Sequence, residues 1–186
     1  ARGDFDAFSP RDDTLFGRED WAFLYVPEPA GIAPHGGGLR PRSFAALHRQ
    51  PGGASVDYTL LGYSAAHGGV TLSMGCRVVE SRSGDLGGGA WTGQLLDDCD
   101  SGEGASGGAL VAETKDGPFL VAIRTGAHWD EATFPGERFP AGPPDGEIWS
   151  VDSNTNFSRA IDREMLDALA RLIREIEGPE TPSPGI

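Results

Sequence analysis

The chain has 186 residues, enough for one large domain or two small ones with a buried core. Its formal net charge of −13 argues against binding to nucleic acid or to an anionic membrane, because both need a basic surface. The sequence holds 28 glycines and 14 prolines between short apolar runs, which favours many short strands joined by tight turns.

In chain order, residues 1–19 are polar and acidic, and residues 21–26 are predicted to form a buried strand. Residues 27–42 are rich in Gly and Pro and predict a boundary between two lobes. Short strand-like runs follow, bounded by Gly, Pro, Asp or Ser as an antiparallel barrel or sandwich requires. The predicted strands are 55–62, 70–79, 89–96, 109–112, 119–125 and 148–151.

One segment has helical periodicity. Its apolar residues predict a helix over 161–177, with Asp162 as N-cap and Gly178 as the C-terminal stop, and a frayed tail over 179–186. The sequence therefore predicts a mostly β protein with one terminal helix.

Residues 98–110 combine an acidic lead-in with glycines around Ser106, and they satisfy three patterns. G-x-G-x-x-G (102–107) is typical of a dinucleotide site, and G-x-S-x-G (104–108) of a hydrolase nucleophile elbow. Both need an apolar strand before and a helix after, which this segment lacks. The context favours a loop in which the N–H groups of Gly104 and Ser106 converge on an oxyanion beside the Ser106 hydroxyl. A plain glycine turn remains the alternative.

Residues 98–110 resemble the active-serine loop of the trypsin-like (chymotrypsin-fold) serine peptidases, closest to the bacterial glutamyl-endopeptidase-like and periplasmic-type branch. Residues 19–24 resemble the family segment that carries the catalytic aspartate, which would be Asp20. Further segments resemble the opening strand of the second barrel, the strand lining the substrate cleft, and the C-terminal strand before the helix. They are 61–64, 119–126 and 156–160, so that the resemblance spans about residues 18–178.

The resemblance implies an all-β fold: a chymotrypsin-like double antiparallel β-barrel, its first barrel incomplete, with a C-terminal α-helix. Residues 1–42 would be a remnant of the first barrel and the crossover linker, and 43–160 the second barrel with the active-serine loop. Residues 161–178 would be the helix, and 179–186 the tail.

The resemblance also implies acyl transfer to water through an acyl-enzyme. Ser106 would be the nucleophile, Gly104 would contribute an amide to the oxyanion hole, and Asp20 would orient an imidazole base. In this family the catalytic histidine precedes the aspartate, but none stands before Asp20 here. We therefore expect this chain alone to be inactive, with an N-terminal chain of the same precursor as a possible partner. The histidines present are predicted to be surface or loop residues: His35, His48, His67 and His128.

The implied substrate is a polypeptide. Asp100 and Ser101 fall where the pocket for the residue before the scissile bond lies, and Asp100 would favour Arg or Lys there. Arg124 would either neutralise Asp100 or favour an acidic side chain. Thr125 and Gly126 would offer backbone groups to an extended peptide.

Taken alone, Cys76 and Cys99 are compatible with one disulfide or with two thiols. The resemblance pairs them, which implies a secreted or periplasmic protein. We expect neither a metal nor a cofactor. Ala105 stands where many family members have an aspartate that pairs with a newly cleaved N-terminus, so that switch is not expected here. The alternative function is a catalytically inactive homologue that serves as a protein-binding module.

Overall fold

The computed structural model describes residues 20–25, 38–48, 56–65, 67–80, 93–129 and 154–178. Within them, eight strands form one sheet in the order β3-β2-β6-β7-β8-β5-β4, and β1 pairs with β7. All neighbouring pairs are antiparallel except β1–β7. The strands are β1 (Arg40–Pro41), β2 (Asp57–Ser64), β3 (Gly69–Cys76), β4 (Val78–Glu80), β5 (Gln94–Asp97), β6 (Ala109–Thr114), β7 (Gly117–Trp129) and β8 (Asn154–Ala160).

The sheet forms a half-barrel and is followed by a C-terminal helix, which confirms the predicted all-β class with one terminal helix. Five of the predicted strand runs overlap β2 to β7. The run over 70–79 is divided at Arg77 into β3 and β4, and residues 89–92 of the run over 89–96 lie outside the described residues. The predicted strand over 148–151 lies outside the described residues. β8 contains the segment 156–160. β1 lies in the predicted linker and joins the same sheet through β7.

The prediction of a buried strand over 21–26 is wrong for the residues that the structure describes. Trp21 is buried, but Leu24 and Tyr25 are 87% and 56% exposed. A continuous apolar run forms a buried strand only where other elements cover both of its faces. In this segment Trp21 is the residue that is buried. The Trp21 ring packs against the Phe23 ring, with centroids 5.4 Å apart.

The main core lies between β2, β5, β6 and β7, and the short helix α1 (Phe44–His48) packs against it. Leu60, Leu95 and Leu110 are almost fully buried there because strand alternation points them to the concave side of the sheet. A second cluster joins Trp21 to Ile161 and to the C-terminal helix.

The C-terminal helix α2 (Arg163–Glu177) begins and ends as predicted. The Asp162 side chain accepts a hydrogen bond from the Met165 N–H, and Gly178 caps the end with φ +73°. Met165 and Ala168 are buried, whereas the apolar residues of the last two turns are half-buried or exposed. The first half of the helix therefore holds it to the sheet.

The predicted disulfide between Cys76 and Cys99 is confirmed, with Cα atoms 5.0 Å apart. It joins the end of β3 to the segment that leads from β5 towards Ser106. Because a crosslink removes conformations from the unfolded chain, we expect it to stabilise this part of the sheet by about 3 kcal/mol.

Candidate functional site

A loop between β5 and β6, residues 102–108, carries Ser106, and we call it the serine loop. Two tight turns shape it, in which the Ala105 N–H donates to Gly102 O (3.2 Å) and the Gly108 N–H donates to Ala105 O (2.9 Å). Ser106 itself is exposed, and its hydroxyl has no hydrogen-bond partner among the described residues. The turns thus present a serine side chain to solvent on a defined backbone.

The glycines of the loop meet specific backbone demands. Gly104 and Gly107 have φ of +91° and +83°, a region that side chains disfavour. Gly108 is needed for space, because an added Cβ would lie 2.7 Å from Leu61 O and 2.8 Å from Ala105 O. The backbone around Ser106 therefore has a conformation that requires glycine at these three positions.

The serine loop is held on both sides by main-chain hydrogen bonds. On one side the Gly107 N–H donates to Arg124 O and the Arg124 N–H donates to Gly108 O, both at 2.8 Å. On the other the Ala65 N–H donates to Glu103 O at 2.8 Å. The amides of Gly104 and Ser106 make no backbone hydrogen bond to any part of the chain that the structure describes. These are the two donors that the sequence assigns to an oxyanion hole.

Ala105 points inward from the loop and is buried. It packs on Gly62 of β2, where an added Cβ would lie 3.3 Å from the Ala105 Cβ. A carboxylate at this position would have to be buried in the same contact, so the alanine suits the packing that the structure has.

The side chain of Arg124 is buried beside the serine loop. Its Nη1 lies 3.3 Å from Asp97 Oδ1, and its Nη2 donates to Ser101 Oγ at 2.7 Å. Arg124 is 4% exposed and Asp97 is fully buried. One residue therefore bonds to the serine loop through its backbone and to the segment 97–101 through its guanidinium.

Asp97 has further donors, as a buried carboxylate requires. The Cys99 N–H and the Ser158 hydroxyl each donate to it at 3.2 Å. Burial raises the pKa of Asp97, against the opposing attraction of Arg124, and burial lowers the pKa of Arg124 to about 10. Desolvation outweighs the attraction in both groups, so this pair fixes geometry at an energetic cost.

Asp100 is exposed, and its backbone N–H donates to Ser73 Oγ at 2.8 Å. Arg124 forms its ion pair with Asp97. It therefore does not neutralise Asp100, which was one of the two roles expected of it. Ser101 is half-buried and orients the guanidinium of Arg124. The structure thus brings Ser101 and Arg124 together and leaves Asp100 in solvent.

Thr125 and Gly126 lie where the pairing of β7 with β8 is interrupted by a bulge. The Thr125 hydroxyl donates to Phe157 O at 3.3 Å. An added Cβ on Gly126 would lie 2.6 Å from the Phe157 ring, so the ring requires glycine here. Bulges of this kind turn strands beside binding sites.

Asp20 is half-buried, and burial raises its pKa. No hydrogen bond joins it to another residue within the described ranges. Of the histidines, the structure describes the side chain of His67 alone, at the turn between β2 and β3. Its Nδ1 lies 3.0 Å from Ser64 Oγ, and it is exposed, as predicted. Among the described residues, neither Asp20 nor His67 is hydrogen-bonded to Ser106.

Asp97, which the structure makes the partner of Arg124, is not among the site residues predicted from the sequence. The signal for it was weak: Asp97 ends a strand in which every residue is buried, so a carboxylate there needs a buried cation. Across the described part of the chain, no three His, Cys, Asp or Glu side chains are grouped as metal ligands. No described helix is long and apolar enough to span a membrane.

No family model, no curated protein and no solved structure matches this chain.

Proposed function

We propose that this protein is a trypsin-like serine endopeptidase that cleaves polypeptides through an acyl-enzyme on Ser106. The observation that carries the proposal is the serine loop. It presents an exposed serine hydroxyl, fixes two left-handed glycines and leaves the amides of Gly104 and Ser106 without backbone partners among the described residues.

The chemistry would begin with attack of Ser106 Oγ on a peptide carbonyl. The proton would pass to an imidazole and then to the leaving amine, and water would release the acyl group by the reverse steps. The amides of Gly104 and Ser106 would stabilise the negative charge on the carbonyl oxygen. Asp20, a half-buried carboxylate, is proposed to orient the imidazole.

The architecture proposed for the whole enzyme is a chymotrypsin-like pair of barrels, of which the half-barrel would be the second. The sheet order and the terminal helix support this, because the loop between β5 and β6 stands beside β7, the strand assigned to the substrate cleft. An N-terminal chain that carries the histidine remains a proposed partner.

The alternative function is that of an inactive homologue that binds protein. A binding module would keep the cleft without needing a base at Ser106. The test below separates the two functions.

Reagents specific for activated serines supply that test. A fluorophosphonate should phosphonylate Ser106 in the protein purified from the cells that make it, with release of fluoride, and peptide mapping should place the label. Ser106→Ala should abolish labelling. Ser64→Ala is the matched control, since Ser64 is the serine that contacts a histidine, and labelling should persist. Wild-type protein that stays unlabelled would favour the binding module.

The substrate pocket is proposed to lie between Asp100, Ser101 and Arg124. Asp97 neutralises Arg124, so the remaining charge is that of Asp100. Because Asp100 is exposed, solvent screens it, and we expect a modest preference for Arg or Lys before the scissile bond. In a positional peptide library, Asp100→Ser should reduce that preference, whereas Asp116→Ser on a distant turn should not. Unchanged selectivity in Asp100→Ser would show that another residue reads the substrate.

A secreted or periplasmic location is proposed as well. The Cys76–Cys99 disulfide supports it, because such bonds persist in oxidising compartments.

A further inference from the structure

Strand β3 has an inverted pattern of side chains. Alternation places Val70, Leu72 and Met74 on the outer face of the sheet, where they are 76%, 62% and 79% exposed. The residues that point inward, Thr71 and Ser73, are small and polar. A strand with one face in water normally does the opposite, so the exposed apolar stripe calls for a partner.

The same strand lies at the edge of the sheet. β2 pairs with one side of it from Gly69 to Cys76, and no other described strand pairs with it. Proteins protect such edges with charges, prolines or bulges, since free N–H and C=O groups attract another strand. Between 69 and 76 the sequence contains no charged residue and no proline, and the irregularity in the pairing with β2 is a bulge at Gly75 (φ +73°), at the far end of the strand from Gly69.

The sequence of β3 is symmetric in chemical class about Leu72. Antiparallel pairing of two copies about that residue sets Leu72 opposite Leu72, Val70 opposite Met74, and Thr71 opposite Ser73. Gly69 then meets Gly75. A two-fold interface must be complementary to itself, and this register gives every residue from 69 to 75 a partner of its own kind.

We propose that two copies of this chain associate through β3, forming an antiparallel β3–β3 pair centred on Leu72. The edge that no described strand pairs with supplies the backbone hydrogen bonds, and the two stripes of Val70, Leu72 and Met74 lie side by side on the outer face of the joined sheet, in contact across the axis. The chain carries a net charge of −13, so its other surfaces repel a second copy, whereas this uncharged edge does not. The occupant is thus another copy of the same strand.

The first test is the oligomeric state of the full chain by sedimentation velocity over a range of concentrations. We expect a reversible monomer–dimer equilibrium that added salt strengthens by screening the net charge. Leu72→Lys sets two like charges opposite each other at the axis and should weaken the dimer at least about tenfold. Ile173→Lys, at an exposed apolar position on α2, is the matched control and should not.

The second test fixes the register. Val70 faces Met74 of the other copy, whereas within one copy the two are four residues apart along the strand. The double variant Val70→Lys/Met74→Glu should therefore dimerise, because each lysine meets a glutamate. Val70→Lys/Met74→Lys should be monomeric.

A wild type that is monomeric at all concentrations would overturn the proposal. A dimer that Leu72→Lys leaves intact, or one in which the two double variants behave alike, would overturn it too. Near-ultraviolet circular dichroism of each variant shows that its fold is retained, and all substituted side chains are already exposed.

Discussion

The serine loop and the edge strand β3 are both at the surface, but they are built in opposite ways. The serine loop is polar and glycine-rich, and its shape is fixed by hydrogen bonds to Arg124 on one side and to Ala65 on the other. β3 is apolar on its outer face and extended apart from the bulge at Gly75, and it is bonded on one side alone within the described sheet. The loop presents one polar hydroxyl on a fixed backbone, whereas the strand presents an apolar stripe along the edge of the described sheet.

Each of the two regions contains a feature that lowers the stability of the fold. Beside the loop, Asp97 and Arg124 are buried at a cost in desolvation that a pair of apolar residues would avoid. At β3, apolar side chains are left in water, where burial would be favourable. Both departures from the ordinary pattern are expected at positions with a function.

The largest expected effect comes from breaking the buried pair beside the loop. Arg124→Met leaves Asp97 buried without its cation, and we expect a loss of about 3–5 kcal/mol in the free energy of unfolding by urea. Arg77→Met removes the exposed pair with Asp98 (2.9 Å) and should cost no more than about 1 kcal/mol.

The double variant Asp97→Leu/Arg124→Met sharpens that result. Because both charges are removed, it should lose clearly less than the sum of the single variants. Additive losses would mean that Asp97 and Arg124 do not act as a pair.

The next effect compares two leucines in neighbouring strands. Leu60 of β2 is 2% exposed in the core, and Leu60→Ala should cost about 2–5 kcal/mol. Leu72 of β3 is on the outer face, and Leu72→Ala in dilute solution should change stability by no more than about 0.5 kcal/mol. Urea unfolding at low protein concentration measures both. Similar losses in the two variants would show that the outer face of β3 is already covered within one chain.

A smaller effect compares two glycines. Gly108→Ala in the serine loop forces a Cβ against Leu61 O and should cost about 1–3 kcal/mol. Gly69→Ala in β3 meets no atom within 4 Å and should be nearly neutral. Thermal unfolding of the two variants checks this, and equal losses would contradict the tight packing of the loop.

The sequence predicted the element types well, because strand alternation and helix capping are local signals. The cap by Asp162, the stop at Gly178 and the strands flanking Ser106 are confirmed. What was missed depends on contacts distant in sequence. Arg124 and Asp97 form an ion pair although the whole serine loop separates them in sequence. Whether Leu24 is buried depends on tertiary packing, which a local apolar run does not reveal.

The inverted face of β3 was missed for a related reason. Alternation of apolar and polar residues predicts a strand equally well whichever face points to the core. Register decides the face, and it is set by pairs such as Leu61 with Leu72. The Cys76–Cys99 disulfide was predicted from the family resemblance, because the spacing of the two cysteines alone left the pairing open.

The central claim is that Ser106 forms the acyl-enzyme, and the most direct measurement is the mass of the acylated protein. A peptide p-nitrophenyl ester would be mixed with the protein from its natural source, quenched in acid and analysed by mass spectrometry. We predict a burst of one equivalent of nitrophenol and an acyl group on the peptide that contains Ser106, both lost in Ser106→Ala and retained in Ser64→Ala. An acyl group on another residue, or a burst that survives Ser106→Ala, would contradict the account.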